Sequence, residues 1–357
     1  MSPPKSNYVA AWVDWGRGPN QDKVVVLERT SEGHAKRVVY NSPYYFYYED
    51  PDGEFVTIFD NKVSKAEFAT RSEFKAALEY MRNPQNFDGA LPKLFETDIA
   101  PLKRVLMENY YGVPAPNVNY ALIDIETNYT REGGFPAPTN AYAIINAVTI
   151  YQSWTEKFLT YAVPPDNFTG TVDDFYVEYD RLIKNGLLRP GIRPEFVLCD
   201  SEATLIMRMI AACNEADILC GWNSEFYDLP YIYERLMLMG GESLVAKLEY
   251  PGAPLPKKEM ANKFGTEEPV IKMTGKSHLD YLRLFQKFTF EGRVSYSLGN
   301  ILQEEVGIGK IDFDGTLEQL YKGTYVPPLN NEVLGEIDSL EKKQQLLARV
   351  KHRLGSL

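Results

Sequence analysis

The sequence predicts an α/β protein with a smaller α+β portion ahead of it. Three observations carry this. Short apolar runs separated by turn residues fill the first hundred positions, with one helical stretch among them. A loop containing two prolines, Gly112–Asn117, then breaks the pattern. Beyond it come three strand-like runs, followed by helices and strands in alternation. The expected division is 1–112, 113–318 and a C-terminal loop and helix over 319–357.

In the first part, 8–13 and 23–28 read as strands joined by the Gly/Pro-rich WGRGPNQD, with further strands at Arg37–Tyr40 and Phe55–Phe59. Arg71–Arg82 reads as a helix, with Phe74, Ala77, Leu78 and Met81 at helical spacing. In the second part, strands are expected at Tyr120–Ile125, Ala141–Tyr151 and Lys157–Val163. A helix follows at Thr171–Lys184 and a strand at Phe196–Cys199. The helix Glu202–Glu215 is capped by Asp200 or Ser201, then come a strand at Ile218–Trp222 and a helix at Leu229–Met239 that stops at Gly240-Gly241. Three strands and then alternation is the order of a ribonuclease-H-like fold. Pro251–Met273 reads as a protruding hairpin around Gly265, and Glu332–Arg353 as an amphipathic helix with Leu334, Ile337, Leu346, Leu347 and Val350 on one face.

Composition narrows the chemistry. Of 357 residues, 44% are hydrophobic and 24% charged, which excludes a disordered chain. No run approaches the ~18 apolar residues of a membrane span, and the first residues carry no secretory signal, so a cytoplasmic protein is expected. Three scattered cysteines (Cys199, Cys213, Cys220) and three histidines (His34, His278, His352) argue against a disulfide scaffold and histidine-based metal chemistry. A catalytic metal would be held by carboxylates, hence Mg²⁺ or Mn²⁺. The net charge of −11 is a global sum and leaves a local nucleic-acid groove open. The 24 tyrosines, clustered at Tyr44–Tyr48 and Tyr110–Tyr111, suit base stacking or, more simply, strands and core.

Asp124 and Glu126 stand two apart on an expected strand, so both carboxylates face one side. Two acids in an apolar strand are costly to bury unless paired, and a divalent cation pairs them. This is what a two-metal phosphodiester cleavage site requires; a strand end with solvated acids is the plainer alternative. In ILCGWNSEFYD (218–228), Asn223 sits on a turn after a strand, and Asp228 either completes a metal shell or caps the following helix.

Together these motifs resemble the family B DNA polymerases, most closely those of tailed phages. YALIDIET (120–127) looks like their first exonuclease motif and GWNSEFYDLPYIYER (221–235) like the second. HLDYLRLFQKFTF with SYSLGNI, within 278–301, is similar to the helical segment before the third. The resemblance implies a proofreading 3′→5′ exonuclease over about 113–315. Asp124, Glu126 and Asp228 would be ligands of two Mg²⁺ or Mn²⁺ ions, and Asn223, Phe226 and Tyr227 would touch the frayed primer end. Lys287 would pair with a phosphate, or be a solvated helix residue. The hairpin would help part primer from template. Two departures are visible. The polymerase palm motifs do not occur in the sequence, which implies a split enzyme with a separate polymerase-domain chain, and through that assembly a sliding clamp as a further partner. The third exonuclease motif is also missing: PPLNNEVL (327–334) stands in its place. The last ligand is then Glu332, or lost, or supplied by another chain; if it is lost, a non-catalytic DNA-binding scaffold is the alternative.

Overall fold

The computed structural model describes residues 7–16, 22–30, 33–128, 133–263, 265–307, 309–311, 315–316 and 318–319. Glu332 and the expected helix 332–353 lie outside them. The fold is mixed α/β.

Strands β1 (Tyr8–Asp14), β2 (Lys23–Arg29) and β3 (Ala35–Asn41) form an antiparallel sheet in chain order. A second sheet holds β4 (Tyr44–Glu49), β5 (Phe55–Val56), β6 (Lys62–Phe68) and, beyond helix α1 (Arg71–Arg82), β7 (Leu94–Phe95), in the order β5-β6-β4-β7. Thr70 caps α1 reciprocally with Glu73. Helix α2 (Pro101–Tyr110) closes this part. The expected strand 55–59 is cut short because the chain turns at Thr57, whose N–H donates to the Asn61 carbonyl at 2.9 Å. Ile58 and Phe59 are left exposed. The tyrosine-rich run is a strand with two faces. Tyr44 and Phe46 are buried, with α1's Phe74 against both rings, while Arg104 and Lys65 lie over the Tyr45 ring at 3.6 and 4.0 Å.

The larger sheet has six strands: β8 (Tyr120–Thr127), β9 (Ile145–Gln152), β10 (Lys157–Ala162), β11 (Glu195–Leu198), β12 (Ile218–Gly221) and β15 (Ser277–Asp280), in the order β11-β10-β9-β8-β12-β15. β8, β9 and β10 are antiparallel neighbours; β12 runs parallel to β8, and β15 parallel to β12. Helix α3 (Val172–Lys184) precedes β11, α4 (Glu202–Ala212) precedes β12, and α5 (Asp228–Gly240) follows it. The core joins one sheet face (Ala121, Ile123, Ile125, Val148, Ile150) to α4 and α5 (Leu205, Ile206, Met209, Ile232, Leu236). Glu202 of α4 ties this packing together: it accepts the Ile145 N–H at 2.8 Å and pairs with Arg235 of α5. After the short helix α6 (Glu242–Val245), β13 (Lys257–Lys263) and β14 (Thr266–Lys272) form the expected hairpin around Gly265, longer than the sequence pattern shows. His278 and Asp280 belong to β15 and not to a helix; the helical part of that segment is α7 (Tyr281–Phe288), followed by α8 (Leu298–Val306).

The three-stranded sheet packs directly on this larger unit. Val24 and Val26 of β2 face Val105 and Tyr110 of α2. Val25 and Leu27, on the other face, join Trp12 and Tyr250, the latter from the segment after α6. At the end of β2, Arg29 pairs with the buried Asp217, which also accepts the Tyr250 hydroxyl at 2.6 Å and the Asn119 N–H at 2.7 Å.

Candidate active site

Along β8 the side chains alternate strictly. Ala121, Ile123 and Ile125 enter the core, while Tyr120, Leu122, Asp124 and Glu126 stand on the opposite, open face. The two acids therefore share one face, as their spacing requires, but the strand is buried on one side only. Across the ladder Asp124 pairs with Thr149, whose hydroxyl meets that of Thr160 at 3.1 Å. Asp124 keeps contact with solvent, but neighbouring protein takes part of its hydration. Desolvation there, followed by the charge of Glu126, raises its pKa; the Lys310 ammonium opposes the rise. The Lys310 stem lies beside Gly299, the second residue of α8, where an added Cβ would make an ordinary contact of 3.4 Å with its Cγ.

The third acid arrives from β12. That strand ends at Gly221, where a Cβ would come within 2.8 Å of the Ile123 carbonyl oxygen and 2.6 Å of the Ser224 Cβ, so only glycine lets the loop pass this near β8. The chain then turns through Asn223, held at φ 60°, a left-handed conformation that asparagine tolerates better than most residues. Asp228 opens α5 at 5% exposure. Its carboxylate reaches across to β8 and accepts the N–H of Ile125 at 3.1 Å, the residue between Asp124 and Glu126. Burial, then the Asp124 charge, pushes its pKa up to about 7, with Asp280 adding to the rise and the Ile125 N–H opposing it.

Asp280 is a residue that the sequence reading missed. It is buried, and its carboxylate accepts the N–H groups of Asn223 (2.9 Å), Glu225 (3.1 Å) and Leu282 (2.9 Å). Two of these donors belong to the loop, so β15 clamps the turn that leads to Asp228. Ser224 adds a contact of 3.0 Å to the half-buried His278. Asp280→Ala strands those N–H groups and is expected to destabilise the protein by about 3 kcal/mol. It should also accelerate amide exchange at Asn223 and Glu225; unchanged exchange at both would refute the clamp.

The remaining expected site residues are placed as follows. Asn223 Oδ1 accepts from Lys263 Nζ at 3.1 Å. Phe226 is 6% exposed, with Lys263 Nζ 4.7 Å and Arg283 Cζ 4.9 Å from its ring centroid. The Tyr227 hydroxyl donates to the Pro136 carbonyl at 3.1 Å, and its ring lies against Phe135 and Tyr231. Lys287 is exposed in the last turn of α7, 5.7 Å above the Phe288 ring, with no contact that joins it to the three acids among the described residues.

The donor set suits a hard divalent cation: all three candidate ligands offer carboxylate oxygens, and like-charge crowding with burial raises two of them in a way that a cation would relieve. Among the described residues no three acids, histidines or cysteines converge closely enough to form a metal-binding group by themselves.

Residues 61–301, more than half of the chain, match the family described as DNA polymerase family B, exonuclease domain. The chain belongs to the family B DNA polymerases. It is 31% identical over 215 residues to a DNA-directed DNA polymerase of Escherichia phage RB69, and 29% identical over 214 residues to one of Enterobacteria phage T4. These stretches cover 58% and 57% of the chain but 23% of each relative, so the chain spans about a quarter of the length of the curated relatives it matches. No helix among the described residues is long and apolar enough to cross a membrane.

Proposed function

We propose that the chain is the 3′→5′ proofreading exonuclease part of a phage-type family B DNA polymerase, acting on the single-stranded primer end during DNA replication. The observation that carries this is the hydrogen bond from Ile125 to Asp228, which joins the second motif to the first between its two acids. Three antiparallel strands, β8 to β10, with β12 and β15 added in parallel beside β8 and β11 in parallel beside β10, support a ribonuclease-H-like reading. Within it, Asp124, Glu126 and Asp228 would hold Mg²⁺ or Mn²⁺, which supplies Lewis acidity toward the scissile phosphate. The Lys310 ammonium offsets part of the rise at Asp124. Asn223, Phe226 and Tyr227, on the loop that leads to Asp228, would touch a frayed 3′ nucleotide. Hydrolysis of the terminal phosphodiester releases a nucleoside monophosphate and leaves a strand one nucleotide shorter.

We further propose that nucleotide joining belongs to a separate chain bearing the palm, and that residues 1–112, 113–318 and 319–357 act as the N-terminal, exonuclease and C-terminal parts. The fourth ligand would come from Glu332 or from that partner. A non-catalytic scaffold is the second reading, favoured by the lack of a converged metal group among the described residues. The test is Mg²⁺-dependent shortening of a 5′-labelled single-stranded oligonucleotide by the chain, with and without the polymerase chain, for the wild type and Glu332→Gln. Weak activity alone and strong activity with the partner is the expected result. Strong activity alone that Glu332→Gln removes assigns the ligand to this chain. No activity in any mixture favours the scaffold.

A further inference from the structure

The β13-β14 hairpin touches the loop of the second motif through the side chain of Lys263. Its base is anchored: Ile271 is buried in the main core, and Lys258 pairs with Glu234 of α5 at 2.6 Å. Its far end is a tight turn in which the Asn262 side chain accepts the Gly265 N–H at 2.9 Å, with Gly265 at φ 91°. Lys263 is the last residue of β13 and is half-buried. Its ammonium lies 3.1 Å from Asn223 Oδ1 and 4.7 Å from the centre of the Phe226 ring.

Two features distinguish this lysine. First, its partners are neutral. An amide oxygen and an aromatic face attract an ammonium without cancelling its charge, and among the described residues Lys263 makes no ion pair. Glu267 and Glu268 of the hairpin stand across from Asn262 and Ala261 and do not pair with it. The other cation on Phe226 differs in this respect, since Arg283 is engaged by Glu225 at 2.9 Å. Second, Lys263 sets the orientation of its neighbour. An ammonium has only donors, so the Asn223 oxygen must face it, and the amide N–H₂ turns away. The pair therefore presents donors alone, five residues before Asp228. In a chain of net charge −11, a phosphate-bearing strand needs such local positive charge to approach the acids.

We propose that Lys263 is a phosphate-contacting residue of the exonuclease groove, carried by the hairpin to the single strand whose 3′ end enters among Asp124, Glu126 and Asp228. The proposal rests on the exonuclease reading for its location. The ammonium contacts a backbone phosphate, while its methylene stem stays against Phe226. It is a binding residue and takes no part in bond breaking.

The test is the salt dependence of affinity for a single-stranded oligonucleotide, measured in EDTA so that no cleavage intervenes. One phosphate contact contributes about 0.7 to the slope of log K against log salt on a single strand. Lys263→Met, which keeps the apolar stem, should lower the slope by about 0.7 and weaken binding by about tenfold at low salt. Lys263→Arg should retain the wild-type slope. Lys75→Met, on the exposed surface of α1, should change neither. Equal slopes for wild type and Lys263→Met overturn the proposal, as does a slope lost equally in Lys75→Met. Thermal unfolding of each variant separates a lost contact from a lost fold, and Lys263→Arg with the wild-type stability but the Lys263→Met slope also counts against it. Strand shortening by the wild type in Mg²⁺ is read in parallel. Shortening with a slope indifferent to Lys263 sinks this proposal and leaves the exonuclease reading. A Lys263-dependent slope without shortening sinks the exonuclease reading and keeps the phosphate contact. No measurable binding by the wild type overturns both.

Discussion

Asp124→Ala/Glu126→Ala is expected to abolish metal-dependent shortening of single-stranded DNA by the assembled protein, a loss of at least about 10³-fold, while the variant folds as the wild type does. Both carboxylates lie on the open face of β8 and not among the core side chains of Ala121, Ile123 and Ile125. Removing them creates no cavity, and it relieves the repulsion by which Glu126 raises Asp124. The thermal midpoint without metal should therefore hold or rise. Retained shortening by the double variant would remove these acids from the reaction; a collapsed midpoint would show that they serve the fold.

Asp228→Asn should change the pH dependence of stability. The Asp228 pKa is about 7 in the folded protein, against an ordinary value of 3.8. A raised carboxyl contributes stability that is complete below the unfolded pKa and is lost as pH rises through the folded one. The loss develops between about pH 4 and 7, is flat above, and reaches on the order of 4 kcal/mol if the whole shift is expressed. Asparagine does not ionise and its oxygen can still accept the Ile125 N–H. In metal-free buffer, the midpoint of the variant relative to wild type should thus climb by about 5 °C from pH 4 to pH 8. A difference that stays constant with pH would mean that Asp228 ionises as an ordinary surface acid. Mg²⁺ should narrow the gap at pH 8, because it favours the ionised wild-type group.

The parts of this molecule legible in its sequence are those governed by local periodicity. The shared face of Asp124 and Glu126 follows from a period of two, and the hairpin follows from Gly265 between two short runs. Helix α2 escaped notice because its apolar positions, Leu102, Val105 and Leu106, span little more than one turn after Pro101. Strand β6 escaped because KVSKAEF mixes charges with small residues, whereas the apolar run FVTIF looked like a full strand and is half turn. The site shows the same division. Asp280 and Lys263 lie 57 and 40 positions beyond Asn223, and each meets it only because β15 pairs beside β12 and the hairpin folds back over the loop. Neither carries a local signature: an acid before a helix reads as a cap, which Asp280 also is, and a lysine on a hairpin reads as solvated surface. Lys310 follows α8 on a stretch without regular structure, where spacing has nothing to say.

The Arg29–Asp217 pair bears on how this protein can be taken apart. A cut at the proline loop near residue 112 looks harmless in one dimension. It would leave Asp217 buried without its guanidinium and uncover Tyr250, which packs with Trp12, Val25 and Leu27. Losing one partner of a buried pair is among the costlier single changes that a protein can suffer, on the order of 3–5 kcal/mol. Strands β1 to β3 thus behave as an outer layer of the larger unit and not as a detachable neighbour. Any shuffling of this module between polymerases, in evolution or by design, has to move both pieces or rebuild the seam.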